Sequence, residues 1–392
     1  MTTPDIEQHL ASEELILETG AMSRRLFLGE LFLLASSLCS PEVRAQVALP
    51  RIATARGKFV TSDSGSLFTP WGFNYDRDSR YRLLEEYWGR EWKKVDKDFR
   101  TMRGLGANVV RIHLQYHQFM DGLNSPNQGN LARLRDLVDL SQSLGIYLDI
   151  TGLGSYRPEN DPLWYVNLSE RDRWIAQSQF WATIAKTLAD KPGIFTFNLM
   201  NEPIVSGDVL EQGAWVHANS IRGLHYNNFI NLDPKGRDRT SIASAWIDQM
   251  RGAIRKYDKQ RLITLGAFPL FGSANATGFE PKRISSQLDF ISVHLYPEAG
   301  RVREGLELLR QYQVGLPILL EETFALNGTV DEYRRFLSGS RHIVDGWLSF
   351  YWGDSETKGN NSATLVPDVV KESMDAFRAF KQDLVNPSAH RG

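Results

Sequence analysis

Three glutamates stand where apolar segments of the sequence end. Glu202 follows one such segment in the stretch FNLMNEP, and Glu321 and Glu322 follow another in LPILLEE. A carboxylate at the end of a buried strand is costly unless it emerges at the rim of the fold and meets a partner there. These positions therefore make the three glutamates candidates for chemistry.

Two carboxyl groups that face each other across a pocket can hydrolyse a glycosidic bond. One, in its acid form, protonates the leaving oxygen while the other, ionised, attacks the anomeric carbon. A separation of about 5–5.5 Å gives a covalent intermediate and retention, whereas about 6.5–9.5 Å leaves room for water and gives inversion. Mutual repulsion helps to separate the two pKa values. This chemistry requires Glu202 and one glutamate of the later pair to share one cavity.

Alternating strand-like and helix-like segments surround these glutamates. Eight short apolar runs are predicted to be strands, at 70–74, 108–113, 147–151, 194–200, 262–265, 290–294, 318–320 and 347–351. Seven amphipathic stretches are predicted to be helices, at 91–104, 131–144, 170–190, 240–257, 301–311, 330–338 and 368–384. The segment 279–287 is short and poorly periodic.

This alternation predicts an α/β fold, a (β/α)8 TIM barrel. Near-continuous apolar strands are typical of a parallel sheet covered by helices, and eight units favour a closed barrel. Neither a Gly-x-Gly-x-x-Gly motif after the first strand nor a Walker loop occurs, which disfavours the nucleotide-binding folds. Residues 57–68 are predicted to form a hairpin around Ser64-Gly65 that covers the bottom of the barrel. Active sites of such barrels lie at the carboxyl ends of the strands, where Glu202 and Glu322 would meet.

Three motifs recur in order at the predicted strand ends. Asn201-Glu202-Pro203 follows the fourth strand, a His-Leu-Tyr sequence that begins at His294 follows the sixth, and Glu322 stands five residues after a proline at the seventh. In this order the motifs resemble glycoside hydrolase family 5 of the clan A barrels, over roughly residues 57 to 380. The resemblance implies a retaining hydrolase of β-linked glycosides, such as a β-glucan or β-mannan, that needs no metal or organic cofactor.

The same resemblance implies roles for individual residues. Glu202 matches the general acid/base, Glu322 the nucleophile, and Asn201 the amide that binds the 2-hydroxyl of the sugar. Arg111 matches the arginine that orients a catalytic glutamate. The remaining candidate substrate contacts are His294 and Tyr296 beside the nucleophile, Trp352 as the aromatic floor of the sugar subsite, and Asn74, His113 and Trp164. Trp164 is either a loop anchor or an aromatic wall of a further subsite.

Two questions remain in the sequence: which of the adjacent glutamates is the nucleophile, and which sugar the subsite binds. Glu322 is favoured over Glu321 because the family's glutamate also lies five residues after a proline, and because adjacent strand residues face opposite ways, so that only one can enter the pocket. Members of the family often carry a histidine at the end of the third strand. Here that place holds Asp149 and Thr151, in DITGLGSY, which leaves the identity of the sugar open.

Residues 1–45 are predicted to form an N-terminal extension with an export signal. From Met22 the sequence has a charged start, an apolar run over 26–38 and a small-residue exit at Ala45. The pair Arg24-Arg25 resembles a twin-arginine signal. Because the apolar run is too short to span a bilayer, we expect cleavage near Ala45, no stable membrane span afterwards, and a periplasmic or secreted protein. An N-terminal membrane anchor and a plain amphipathic helix are the alternatives.

Composition narrows the class of partner. The chain has 392 residues, 42% of them hydrophobic, and a net charge of −2, which suits a large core and gives no indication of a nucleic acid partner. We predict one catalytic domain over residues 46–392 whose partner is a carbohydrate: an oligosaccharide, a polysaccharide or a glycolipid head group. A non-catalytic carbohydrate-binding barrel and a metal-dependent barrel hydrolase remain as alternatives. Endo or exo cleavage, and hydrolysis or transglycosylation, stay open.

Overall fold

Eight parallel strands close into a barrel in the computed structural model, which describes residues 49–270, 272–350 and 367–385. The strands, β1 to β8 in chain order, are Trp71–Asn74, Val109–Gln115, Tyr147–Gly154, Ile194–Asn201, Leu262–Ala267, Ile291–His294, Ile318–Glu322 and Gly346–Phe350. Each strand pairs with the next one in the sequence, and β8 pairs with β1. The predicted (β/α)8 barrel is confirmed, and every predicted strand is present with its ends moved by a few residues.

Helices follow the strands and cover the outside of the barrel. Helices α1 to α8 are Trp92–Gly104, Gln128–Ser143, Glu170–Thr187, Arg239–Arg255, Pro281–Ile284, Val302–Arg310, Val330–Ser340 and Pro367–Val385. Helix α2 begins before its predicted start because the Asn127 side chain accepts a hydrogen bond from the backbone N–H of Asn130 and so caps the first turn. The poorly periodic segment contains only α5 and the 3₁₀ turn Ser285–Gln287 that follows it.

Shorter elements fill the loops at the carboxyl ends of β1 to β4. Three of them are one-turn helices, at Leu84–Tyr87, Tyr116–Phe119 and Leu163–Val166, and one is a 3₁₀ turn at Pro158–Asn160. Two small strand pairs join Met120–Gly122 to Ser125–Pro126 and Pro203–Ile204 to Asn228–Phe229. The loop between β4 and α4 is the longest of these connections. These loops, rather than the strands, shape the mouth of the barrel on this side.

A hairpin closes the opposite end of the barrel. Strand Ile52–Ala55 pairs antiparallel with Lys58–Thr61, and both turn residues, Arg56 and Gly57, have positive φ, as a type I′ turn requires. At the predicted turn, Ser64-Gly65, the chain reverses a second time and forms only a single bridge, between Val60 and Leu67. The main turn of the hairpin was therefore predicted in the wrong place. Phe59 packs against the side chains that begin the barrel strands, and the hairpin therefore covers the bottom as predicted.

The N-terminal predictions lie outside the described residues. The extension 1–45, with its export signal and its cleavage site, belongs to that part of the chain. Within the described ranges, none of the helices has both the length and the apolar character needed to cross a membrane.

Candidate active site

The two predicted catalytic glutamates meet at the mouth of the barrel. Glu202 comes directly after β4, and Glu322 is the last residue of β7. One oxygen of each, together with a ring nitrogen of His294, lie within 4.8 Å of one another. The barrel thus brings into one cavity two side chains that lie three strand–helix units apart in the sequence.

The backbone at Glu202 is in an unusual conformation. Its φ is +45°, in the left-handed region that side chains other than glycine seldom occupy, and such a residue costs about 1–3 kcal/mol. Its N–H donates to the carbonyl of Gly266 at 3.0 Å. The side chain is held at both oxygens, by Nδ1 of His294 at 2.9 Å and by Nδ2 of Asn227 at 2.5 Å. The strained turn therefore serves to aim this carboxylate into the cavity.

Both oxygens of Glu322 also accept hydrogen bonds. Nη1 of Arg111 lies 2.5 Å from Oε1, and the Tyr296 hydroxyl donates to Oε2 at 2.5 Å. Burial and the Glu322 charge raise the pKa of Tyr296 well above its usual value, so that its hydroxyl keeps the proton that it donates. These two donors fix the orientation of the carboxylate.

Arg111 is the fully buried centre of this network. Besides Glu322, its guanidinium donates to Thr151 Oγ1 at 2.8 Å, Asn74 Oδ1 at 3.0 Å and Asn201 Oδ1 at 2.9 Å. Thr151, near the end of the third strand, thus contributes a hydroxyl that accepts from Arg111.

Asn74 does not lie where a substrate contact would. Its amide nitrogen donates to the backbone carbonyls of Glu321 and Ser349, at 2.8 and 2.9 Å, and its oxygen accepts from Arg111. The prediction that Asn74 contacts substrate is therefore not supported, because both ends of the amide are bound to protein groups. Asn74 instead positions Arg111.

His294 bridges the acid/base candidate and a deeper carboxylate. Its Nδ1 faces Glu202, and its Nε2 lies 3.0 Å from Oε2 of Glu321. Burial alone would lower the pKa of His294, but the charge of Glu322 and the hydrogen bonds to Glu202 and Glu321 outweigh burial and raise it to about 9. A Cβ at Gly266 would lie 2.8 Å from the imidazole ring, so β5 needs glycine where this ring passes.

Glu321 is completely buried beneath the mouth, where it accepts hydrogen bonds from Asn198 at 3.0 and 2.9 Å and from Ser292 at 2.5 Å. Burial opposes the ionisation of Glu321. The charge of Arg111, which lies 3.3 Å away, and the contact with the His294 ring outweigh burial and lower the pKa of Glu321 to about 2. Strand alternation predicts opposite directions for Glu321 and Glu322, yet both reach Arg111. The pairing of β6 with β7 shifts register just before Glu322, which turns that residue inward.

Two cavities meet at Glu202. The first, which we call the Glu298 cavity, has a volume of about 580 Å³ and is lined by Glu202, Tyr296, Glu298 and residues of α6. The second, the Asp76 cavity, has a volume of about 570 Å³ and is lined by both catalytic candidates and by Asp76. Glu322 lines only the Asp76 cavity, whereas Glu202 and Tyr296 line both.

The predicted substrate contacts fall into three groups. Asn201, His113 and Tyr296 line the Asp76 cavity. His113 Nδ1 pairs with the Tyr156 hydroxyl at 2.5 Å, while its buried Nε2 has no hydrogen-bond partner among the described residues. Trp164 lines neither cavity and packs beside Tyr116, which makes it a loop anchor. Trp352 lies outside the described residues, and the aromatic residue described at the end of β8 is Phe350, which lines the Asp76 cavity.

Several residues of the site carry no sequence signal. Asn227 and Tyr226 come from the long loop after β4, and Asp76 and Arg77 follow β1. The Tyr226 hydroxyl donates to Asp76 Oδ2 at 3.3 Å, and Arg77 pairs with the same carboxylate at 3.1 Å. Irregular loops have no periodicity that could have placed these side chains in the mouth.

Within the described residues, one group of three side chains has the donor atoms to hold a metal ion, namely Glu202, His294 and Glu322. A cation there would lie beside the permanent charge of Arg111, whose Nη1 already binds Glu322 at 2.5 Å. The His294 ring would also have to give up a contact with one carboxylate. The arrangement therefore suits proton transfer better than metal binding.

Comparison with known proteins agrees with this geometry. Residues 71–312 match a family model described as Cellulase (glycosyl hydrolase family 5). A curated relative, mannan endo-1,4-β-mannosidase 5 of Arabidopsis thaliana, is 23% identical over 202 residues, which are 41% of this chain and 45% of the relative. The match thus spans less than half of that protein's length.

Solved structures with the same barrel include two that act on mannosides by their titles. An exo-β-1,4-mannosidase from an Opitutaceae bacterium, strain TAV5, has a TM-score of 0.63 at 17% identity, with 86% of this chain and 62% of that chain covered. An endo-1,4-β-mannanase from Eisenia fetida has a TM-score of 0.59 at 14% identity, with 84% and 95% covered. At these identities the likeness establishes the fold alone.

Proposed function

Because the chain belongs to glycosyl hydrolase family 5, we propose that it hydrolyses β-linked glycosides with retention of configuration. Glu322 attacks the anomeric carbon while the leaving oxygen takes a proton from Glu202, and a glycosyl ester forms on Glu322. Glu202 then removes a proton from water, which attacks the same carbon and releases Glu322. Asn201 lines the same cavity and is proposed to bind the 2-hydroxyl.

One observation carries this proposal. An oxygen of Glu202 and an oxygen of Glu322 lie within 4.8 Å of each other. Retaining glycosidases hold their carboxyl groups about 5–5.5 Å apart, whereas inverting enzymes need about 6.5–9.5 Å for a water molecule. The short distance therefore favours direct attack by Glu322. Its two fixed donors, Arg111 and Tyr296, hold the carboxylate in place for that attack.

We propose a β-mannoside as the preferred substrate. The relatives described above act on mannosides by their printed names, and they include both endo-acting and exo-acting proteins. The assay should nevertheless include β-glucosides, because the matched family model is described as a cellulase. A carbohydrate substrate also agrees with cavities that are lined by carboxylates, amides and aromatic rings.

Paired variants test the mechanism on aryl β-mannosides and β-glucosides. Glu202→Ala should lose about 10²–10⁴-fold in kcat/KM on substrates with poor leaving groups, which need the proton. On substrates with good leaving groups the glycosyl ester still forms, and added azide should then raise turnover and give the β-glycosyl azide. Glu322→Ala should lose more, and azide should then give the α-glycosyl azide. Proton NMR of the first product of the unaltered protein should show the β-anomer.

The matched control is Glu372→Ala, an exposed glutamate on α8, which should leave turnover unchanged. An α-anomer as the first product would contradict retention. Equal turnover in both active-site variants and the control would remove the catalytic assignment and leave a carbohydrate-binding barrel. Loss of activity on exhaustive chelation would favour the metal-dependent alternative.

We also propose that the protein is exported through the twin-arginine route. The support is the sequence from Met22 onward, with Arg24-Arg25 ahead of an apolar run. Replacing both arginines by lysine should leave the precursor inside the cell, whereas Arg44→Lys, outside the motif, should not. Normal export of the twin-lysine variant would contradict this route.

A further inference from the structure

We propose that the Asp76 cavity accepts one sugar at the non-reducing end of a chain, so that the protein releases monosaccharides from chain ends. This inference rests on the proposed function, because the roles of Glu202 and Glu322 define which cavity holds which part of the substrate. It adds Asp76 and Arg77 as residues that recognise the terminal sugar.

The assignment of the two cavities follows from the chemistry. The acid/base must stand beside the leaving group, and the nucleophile must stand beside the sugar that it attacks. Glu202 lines both cavities, whereas Glu322 lines only the Asp76 cavity. The attacked sugar therefore occupies the Asp76 cavity, and the leaving group extends into the Glu298 cavity.

A segment of the loop after β4, residues 221–227, lines the Asp76 cavity through four of its side chains. We call this segment the strap. Its backbone is tied to the last residue of β4 and to the loop after β3, because Asn201 Nδ2 donates to the carbonyl of Tyr226 at 3.0 Å and the N–H of His225 donates to the carbonyl of Tyr156 at 2.9 Å. At the end nearest the mouth, Asn227 holds Glu202. The strap is therefore anchored at the catalytic centre itself.

An apolar cluster holds the strap against the loops that follow β1 and β3. Leu224 of the strap is buried with Leu83 and Tyr156, and Tyr81 and Tyr226 pack on them. The guanidinium of Arg222 lies 4.6 Å from the centre of the Tyr81 ring. These contacts join three loops into one wall, and a chain of sugars could pass through that side only if the cluster came apart.

The polar atoms of this wall suit the hydroxyls of a terminal sugar. Asp76 and Arg77 form an ion pair whose side chains are 4% and 10% exposed, and both line the cavity. The Tyr226 hydroxyl donates to the same carboxylate. A desolvated carboxylate beside a guanidinium presents an acceptor and donors side by side, which matches neighbouring hydroxyls on a ring.

The proposal assigns a particular hydroxyl to the ion pair. In a pyranose the 4-hydroxyl lies across the ring from the anomeric carbon, and the anomeric carbon lies at Glu322. Asp76 and Glu322 both line this cavity, and the proposal assigns Asp76 to the end of the ring that lies away from the anomeric carbon. If Asp76 accepts a proton from the 4-hydroxyl, that oxygen cannot carry a further sugar. In a 1,4-linked chain such a hydroxyl exists only on the non-reducing terminal residue.

Product analysis with a reducing-end-labelled β-1,4-linked mannohexaose, and with the matched glucohexaose, tests the mode of cleavage. The expected first labelled product is the pentasaccharide, with the monosaccharide as the only unlabelled product. Labelled products of four or fewer sugars in the first few per cent of reaction, or a rapid fall in the viscosity of a soluble polysaccharide, would overturn end-cutting while leaving the proposed function intact. If the protein cleaves neither the two hexasaccharides nor the aryl glycosides, both the end-cutting inference and the proposed function are overturned.

Asp76→Ala tests the recognition of the terminal hydroxyl. On an aryl β-glycoside it should lower kcat/KM by about 10- to 100-fold, the effect expected for hydrogen bonds to a charged group. On the matching 4-deoxy glycoside the substitution should lower kcat/KM by no more than about threefold. Without the 4-hydroxyl, neither the unaltered protein nor the variant can form the hydrogen bond to this position. A general structural defect would affect both substrates equally.

The isosteric variant Asp76→Asn guards against a folding defect in the alanine variant. It keeps the shape and one acceptor oxygen, so we expect a loss of about tenfold on the full glycoside and near-normal turnover of the deoxy glycoside. Equal losses on the two substrates in both variants, or unchanged kcat/KM in both, would overturn the assignment of Asp76.

Discussion

The Glu321→Gln substitution removes one charge from beneath Glu202 and Glu322 and keeps the size of the side chain. Glu321 is completely buried, and its Oε2 lies 3.0 Å from Nε2 of His294. Burial lowers the pKa of His294, but the neighbouring carboxylates raise it to about 9 overall. We therefore expect the substitution to lower this pKa.

The size of the shift follows from the contact that is lost. A hydrogen bond to a charged group contributes about 1.5–3 kcal/mol, and one pKa unit corresponds to about 1.4 kcal/mol. Loss of the Glu321 charge should therefore lower the pKa of His294 by about 1–2 units, to between about 7 and 8. Glu202 and Glu322 remain near the ring, so the pKa should not fall below the ordinary value of 6.5.

Nitrogen-15 NMR of histidine-labelled protein measures this pKa directly. His294→Asn identifies the resonance, and Glu372→Gln, the same change at an exposed position on α8, is the matched control. We expect the control to titrate as the unaltered protein does. A pKa of His294 near 6.5 in the unaltered protein, or one that Glu321→Gln leaves unchanged, would refute the reasoning.

The same pKa makes stability depend on pH. A group whose pKa is raised on folding stabilises the protein fully below its unfolded pKa and loses that contribution as pH rises through the folded value. For His294 the window runs from 6.5 to about 9, and the free energy of unfolding should fall by about 3 kcal/mol across it. In Glu321→Gln this loss should be smaller and complete by about pH 8. Urea denaturation at several pH values measures the difference.

Two further variants test the support of the catalytic carboxylates. Gly266→Ala places a Cβ 2.8 Å from the His294 ring, and we expect a folded protein with kcat lowered by about tenfold or more because the ring must move away from Glu202; an unchanged kcat would contradict the close packing. Tyr296→Phe removes the 2.5 Å hydrogen bond to Glu322 and should lower kcat/KM by about 10- to 100-fold with little loss of thermal stability; an effect on stability alone would contradict the proposed support of the nucleophile.

The barrel, and the proximity of Glu202 and Glu322, could be predicted because they depend on local pattern. Each barrel strand is an apolar run flanked by helical periodicity, and a closed parallel barrel sends all strand ends to one face. Glu202 and Glu322 therefore had to come near each other once the eight strands were recognised. Arg111 could be predicted for the same reason, because it lies within β2.

Other parts of the site could not be predicted, because they depend on irregular backbone. Asn227 binds Glu202 from a loop with no periodicity, and Tyr226 and Asp76 meet only because two loops pack together. Strand alternation also failed for Glu321 and Glu322, since a register shift between β6 and β7 turns both towards Arg111. Tertiary packing, rather than local preference, decides these contacts.

The pKa values of the two buried acids Asp149 and Glu321 are shifted in opposite directions. Burial and the neighbouring Glu321 charge raise the pKa of Asp149 well above its usual range. The charge of Arg111 and the contact with His294 act on Glu321 in the other direction, so it is ionised even though burial opposes this. The surroundings of these two buried acids therefore shift their pKa values in opposite directions.

The positive groups around Glu321 explain what this buried carboxylate can do. Arg111 lies 3.3 Å from it and Nε2 of His294 lies 3.0 Å from it, and these two groups lower the pKa of Glu321 to about 2 although burial opposes its ionisation. The same imidazole ring reaches Glu202 through Nδ1, so Glu321 fixes the orientation of the ring that contacts Glu202. Glu202 has the most exposed of the three carboxylate side chains, at 15% against 9% for Glu322 and none for Glu321. The buried glutamate therefore supports, through His294, the carboxylate for which we propose the acid/base role.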